Sequence, residues 1–158
     1  MRAIAPNLWF DGNALEAAEH YVSIFPDSRI VHVSHYEDGD PGQPGTVMVV
    51  DFELDGQPYA AINGGADFPF TAAISLLVDC DGQEEIDRYW AALGAGGEQG
   101  HCGWLKDRFG VSWQVCDNAA LTAMVDDPDR ERRRRARQAM FQMRKLDLAT
   151  MRDAADAG

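Results

Sequence analysis

The chain runs twice through one order of elements, and that duplication limits the folds open to it more than any other feature. In the first pass Ile4 to Phe10 reads as a strand, with Pro6 near its start. Asp11-Gly12-Asn13 turns the chain, and Asp11 or Asn13 can cap a helix over Ala14 to Phe25. There Leu15, Ala18, Val22 and Phe25 recur at three- and four-residue steps, and Pro26 stops the run. Ser28 to Tyr36 alternates as a strand, and Glu37 to Gly45 is an acidic Gly/Pro loop suited to a flap. Thr46 to Leu54 and Gln57 to Asn63 are strands joined by Asp55-Gly56, a hairpin turn. The second pass begins with a strand over Thr71 to Cys80 and a turn at Asp81-Gly82-Gln83. A helix over Glu84 to Leu93 follows, with Ile86, Tyr89, Trp90 and Leu93 on one side. Gly94 to Gly100 should hold the sixth strand but is poor strand material.

The second pass ends in a hairpin, His101 to Val115. Gly103-Trp104-Leu105 leads in, Asp107-Arg108-Phe109-Gly110 turns, and Val111 to Val115 leads out. The outgoing run places Val111, Trp113 and Val115 on one face and Ser112 and Gln114 on the other. The expected architecture is α+β: paired βαβββ modules, about 1–66 and 67–118, within a domain over 1–125, each curved sheet forming half of a concave surface. A helical extension over 126–158 starts at Pro128, with Ala136, Met140, Met143 and Leu146 as its apolar stripe.

Charge narrows the partners. Residues 1–125 carry 5 basic and 19 acidic residues, net −14, whereas 126–158 carry 9 basic and 7 acidic, net +2. An acidic body repels phosphate backbones, which argues against nucleic acid as a partner. The exception, the Arg130 to Arg137 run, reads as a solvated helix face or a set of inter-subunit ion pairs. No apolar run approaches the ~20 residues of a membrane span. The start, MRAIAPNLWF, shows no signal-peptide pattern, so the expected location is cytoplasmic. Cys80, Cys102 and Cys116 are odd in number and lack CxxC spacing, against a disulfide framework or cysteine–zinc site.

Cys102, Gly103, Trp104, Leu105, Asp107, Gly110, Ser112, Trp113 and Gln114 follow a CGWLxDxxGxSWQ pattern. Asn7 to Gly12 (NLWFDG), Phe25 to Ser28, Asn63-Gly64-Gly65, Ala73 to Leu76 and Glu85 to Trp90 follow in register. In these residues, over about 7–117, and again at Gln138 to Met140 and Lys145 to Asp147, the chain resembles the PhnB-like group. That group, often labelled 3-demethylubiquinone-9 3-methyltransferase, sits within the glyoxalase/bleomycin-resistance/dioxygenase (vicinal oxygen chelate) superfamily. The resemblance implies a small organic ligand, a homodimer and, in metal-dependent members, one divalent ion held by His, Gln or Glu of the outer strands. Counting along the motifs places Asn7, Ala73, Asn63 or Ala61, and Gln114 at those positions. Alanine offers no donor atom, and neutral amides are weak ligands without imidazole or carboxylate, so no metal or other cofactor is expected. His32 and His35 differ in strand parity and cannot both serve one ion.

The methyltransferase label finds no strand–GxGxxG–helix unit to hold a nucleotide-like cofactor. The expected ligand-binding residues are Trp9, Asn63, Ser75, Cys102, Trp104, Trp113 and Gln114, aromatic walls with few oriented polar groups. Cys102 is the candidate nucleophile should the protein be an enzyme. Three readings follow: a metal-free binder of a small organic molecule, a metal-dependent lyase, isomerase or dioxygenase-like enzyme, and an interaction protein acting through its arginine-rich helix.

Overall fold

A computed structural model describes residues 4–157, so the first three residues of the MRAIAPNLWF start lie outside it. The chain divides into two compact units, Met1–Phe70 and Thr71–Gly158.

The first unit contains β1 (Asn7–Phe10), α1 (Ala14–Ile24), β2 (Arg29–His35), β3 (Val47–Leu54) and β4 (Gln57–Asn63). Its sheet order is β1-β4-β3-β2, with β1 parallel to β4 and the other pairs antiparallel. The first strand begins three residues later than its apolar pattern suggests. Pro6 has no N–H for the ladder and contributes only its carbonyl, which accepts from Ala60 N. In β3, Val50, Phe52 and Leu54 turn inward onto α1. That helix meets them through Ala14, Ala17 and Ala18, all fully buried and small enough to let the helix axis approach the sheet. Tyr21, Phe52 and Tyr59 stack in series, with ring centroids 6.4 and 5.3 Å apart. Asp55 and Gly56 both take positive φ, as the tight β3–β4 turn requires.

The second unit opens with the same plan: β5 (Leu76–Asp79), α2 (Gly82–Gly94), β6 (Glu98–Gln99), β7 (Trp104–Lys106) and β8 (Ser112–Cys116), ordered β5-β8-β7-β6. Again the edge strand is parallel to the last strand of its module. Ile86, Tyr89, Trp90 and Leu93 of α2 are buried, as are Val78, Leu105, Trp113 and Val115 of the sheet. The expected strand over Thr71 to Cys80 is only four residues long, and Ala72 to Ile74 are exposed. The sixth strand has two residues, and Gly97 just before it sits directly on the Lys106 carbonyl, where any side chain would overlap the backbone.

Three helices close the chain: α3 (Asn118–Val125), α4 (Arg130–Gln142) and α5 (Leu148–Asp156). Asp117, Asp129 and Asp147 cap them, each accepting from backbone N–H groups of the first turn. These bonds hold the Asp129 and Asp147 carboxyls below their ordinary range. The sequence pattern marks only the middle helix. It runs its apolar stripe one step too far, since α4 stops at Gln142 and the fully buried Leu146 lies in the link to α5. Among the described residues no helix is long and apolar enough to cross a membrane.

Candidate functional site

Strand register decides which predicted site residues share a face. In the first unit Trp9 pairs with Ile62 and Phe10 with Asn63, so Trp9 and Asn63 stand on opposite faces of the sheet. Asn63 lies on the α1 side. Its Oδ1 accepts from Ala14 N at 2.9 Å and its Nδ2 donates to the Val47 carbonyl at 3.0 Å. It therefore caps α1 from across the sheet, a task that Asn13, the residue before the helix, does not perform with its side chain. Trp9 donates through Nε1 to the Gly65 carbonyl at 2.8 Å, and its ring covers Gly64, where a Cβ would overlap the indole.

Tyr36, just beyond β2, donates its hydroxyl to the Asn63 carbonyl at 2.5 Å. Gly42, near the middle of the acidic loop, lies against the Tyr36 ring closely enough that a Cβ would collide with it. Backbone bonds from Tyr36 N to Thr46 O and from Gly45 N to Tyr36 O close the base of that loop. The loop, the β1–α1 turn and the end of β4 border an open cavity of about 740 Å³, lined among others by Asp11, Leu15, Tyr36, Gln43, Val47 and Gly64. Sequence reasoning identified the loop as a flap but did not connect Tyr36 with it. The signal that pointed that way was an aromatic residue immediately before a Gly/Pro-rich segment.

In the second unit Gln114 stands opposite Trp104 and Leu77, and Ser112 opposite Lys106, so these side chains share the sheet face away from α2. Gln114 Nε2 donates to Ser75 Oγ at 2.8 Å. Trp104 and Ser112 also border a hollow of about 180 Å³ with Ala72 and Gln99. Trp113 faces the other way, 2% exposed, and donates its Nε1 to Asp107 Oδ2 at 2.8 Å. Asp107 is 3% exposed, and its other oxygen accepts from Phe109 N and Val111 N. One buried carboxylate thus satisfies three donors and fixes the hairpin turn.

Cys102 sits in a left-handed conformation (φ 55°) at the entrance to β7. Its Sγ lies 3.6 Å from the Met140 carbonyl, and Cys102 N and Gly103 N donate to Met143 O and Arg144 O. The link after α4 therefore strings itself along the strand entrance. Burial pushes the Cys80 thiol up to about 12 and raises that of Cys116 as well. Neither is a ready nucleophile.

The arginine run has internal work. Arg135 donates to the Ala154 and Ala155 carbonyls at the end of α5, and Arg137 to the Val125 carbonyl at the end of α3. Arg132 joins Asp127 and Asp156, Arg133 takes the Asp127 carbonyl, and Arg134 meets Glu131 and Gln138.

A divalent ion of the kind that metal-dependent superfamily members hold does not suit these residues. Ala61 is fully buried and offers no donor, the Asn63 amide is committed at both ends, and Gln114, whose Nε2 is bonded to Ser75, leaves a single neutral amide oxygen. Among the described residues no three His, Cys, Asp or Glu side chains converge. The glycine groups are equally occupied by packing: Gly64 lies under Trp9 and Gly97 against Lys106, neither opening a cradle for a nucleotide-like group.

The family described as 3-demethylubiquinone-9 3-methyltransferase matches residues 2–116. Among solved structures, the PhnB protein from Bacillus cereus is 38% identical, the match covering 73% of this chain and 99% of that one with a TM-score of 0.67. A protein from Pseudomonas aeruginosa is 22% identical over 74% of this chain and 98% of its own, with a TM-score of 0.62, a likeness of fold. No curated protein matches the chain.

Proposed function

The chain belongs to the family described as 3-demethylubiquinone-9 3-methyltransferase, the PhnB-like group of the vicinal oxygen chelate superfamily, and from that premise we propose that it binds a small organic molecule without a resident metal ion. The observation that carries this reading is the cavity of about 740 Å³ in the first unit. Its volume falls within the ~300–1,000 Å³ of small-molecule sites. Trp9 and Asn63 hold its wall in place from either side of the β1–β4 pair. In the second unit Ser75, Trp104 and Gln114 offer a further ligand-facing surface, one aromatic plane beside an oriented amide. Cys102 and Trp113 shape the hairpin on which that surface stands.

A donor set of neutral amides, that of Asn63 bonded at both ends, supports a binding role over ion-assisted chemistry. The turns from β1 into α1 and from β5 into α2 carry single glycines rather than a GxGxxG run, which likewise does not support methyl transfer. We also propose a cytoplasmic homodimer, in keeping with three free cysteines, which persist in reducing compartments. The test combines two measurements on protein purified without chelators: metal content, and calorimetry against a panel of metabolites and antibiotics. Ligand binding unchanged by a chelator, with metal far below one equivalent, is the expected result. Near-stoichiometric zinc, nickel, manganese or iron, with binding lost on its removal, would overturn the proposal.

A further inference from the structure

The cavity in the first unit has an unequal supply of hydrogen-bonding groups. Its side-chain donors are largely committed inside the fold: Tyr36 Oη to Asn63 O, Thr46 Oγ1 to Gln43 O at 2.7 Å, and Asn63 Nδ2 to Val47 O. Trp9, behind Gly64, gives its N–H to Gly65 O. Carbonyl oxygens keep a second lone pair after accepting once, so those of Asn63 and Gly65 still accept, whereas the Gln43 carbonyl already takes both Thr46 N and Thr46 Oγ1. The Gln43 amide can do either.

Among the described residues the one charged side chain in the lining is the exposed carboxylate of Asp11. Glu37, Asp38 and Asp40 lie on the loop that bounds the cavity and are exposed too. Residues 1–70 hold 11 acidic and 2 basic residues, so 2 minus 11 places −9 of the chain's −12 in this unit. Of those two bases, Arg29 is already paired with Glu53 at 2.8 Å. Leu15, Pro41, Val47 and the Tyr36 ring supply apolar wall.

We infer that this cavity takes an organic cation: an ammonium or amidinium group, donating to Asp11 and the spare carbonyl lone pairs, on an apolar body lying against Leu15, Val47 and Tyr36. The inference rests on the ligand-binding reading above and adds to it the charge of the ligand. Among the described residues the lining holds no lysine or arginine, so an anion would meet only the negative field of the unit, and a neutral acceptor would find few uncommitted side-chain donors.

Three probes of one shape separate the cases: 2-phenylethylamine, 2-phenylethanol and 3-phenylpropionate, titrated calorimetrically into the full chain. The amine is expected to bind at least ~10-fold more tightly than either of the others, and to weaken as salt is raised. Asp11→Asn, at an exposed position, should remove ~5-fold or more of that preference with the fold intact by circular dichroism. Leu15→Trp, which fills the cavity, should abolish binding of the amine. Equal or tighter binding of the alcohol or the acid overturns the charge assignment and leaves the ligand-binding reading standing. Amine binding that survives Leu15→Trp at full strength places the ligand elsewhere and overturns the inference. Binding of none of the three, nor of any member of the broader panel, removes both.

Discussion

In the first unit β1 delivers the chain to α1, and the free start of that helix is held by Asn63, at the end of the neighbouring parallel strand. In the second, β5 delivers the chain to α2, whose Gly82 N–H is taken by Asp117, just past the end of β8. The topological place is the same and the side chain differs. An amide both accepts and donates, so Asn63 ties the helix start to the Val47 carbonyl at the start of β3 and adds no charge to the cavity beside it. A carboxylate only accepts, so Asp117 takes a second N–H, that of Ala120, and thereby caps α3. One module consequently ends in an open cavity under a loop, and the other hands its strand end to three helices. Strand length follows suit: β2, β3 and β4 have seven, eight and seven residues, whereas β6 and β7 have two and three.

The contrast can be broken at its strongest point first. Trp113→Ala removes the more deeply buried of the two tryptophans of the second core and should cost ~3–5 kcal/mol in urea unfolding. Asp107→Ala leaves three donors without their acceptor and should cost ~2–4 kcal/mol, with Asp107→Asn recovering part of it. If either change proved neutral, the hairpin would not be the anchor described.

Asn63→Ala and Asp117→Ala sharpen the comparison itself. Each should cost ~1–2 kcal/mol, but Asn63→Ala alone should weaken ligand binding, since only it borders the cavity. Equal loss of binding in the two variants would detach Asn63 from the site.

Acid should separate the regions more gently. The Asp129 and Asp147 carboxyls are held below their ordinary value by helix N–H groups, and Asp127 by the Asp129 N–H and Arg132. A carboxyl whose folded value lies below its unfolded one contributes stability that is whole above about pH 4 and is lost as pH falls through the folded value. Helical signal from α4 and α5 should therefore fade below about pH 4, with Asp129→Asn and Asp147→Asn each flattening that profile. The smallest effect is expected for Arg137→Ala. Its pair with Asp126 and its bond to the Val125 carbonyl are both exposed, so unfolding should change by no more than ~1 kcal/mol.

Much of this was legible from residue order. The duplicated module, the first helix, the Gln57 to Asn63 strand and the tight turns followed from periodicity and from Asp-Gly and Pro placement, because those signals are local. The paired βαβββ architecture followed from the repeated order of elements together with the collinear motifs. The candidate site was read less completely. Trp9 and Asn63 could be marked as interesting, but that they face opposite ways depends on the one-residue offset between Trp9–Ile62 and Phe10–Asn63, a register that strand pairing sets. Tyr36 belongs to the cavity only because its hydroxyl reaches across to Asn63. α3 and α5 are not marked by the sequence pattern because both are short and lean at their ends on tertiary partners, Arg137 and Arg135, although the caps at their starts, Asp117 and Asp147, are local.

From its sequence alone this protein's family, its pair of repeated modules and the acidity of its first unit were determined, since each is carried by residue types in order along the chain. Tertiary structure decided what the polar groups do. Side chains far apart in sequence meet only after the sheets form, and those meetings turned the arginine run into a set of helix clasps and Asp107 into the hairpin's hub. They left one cavity with more acceptors than donors.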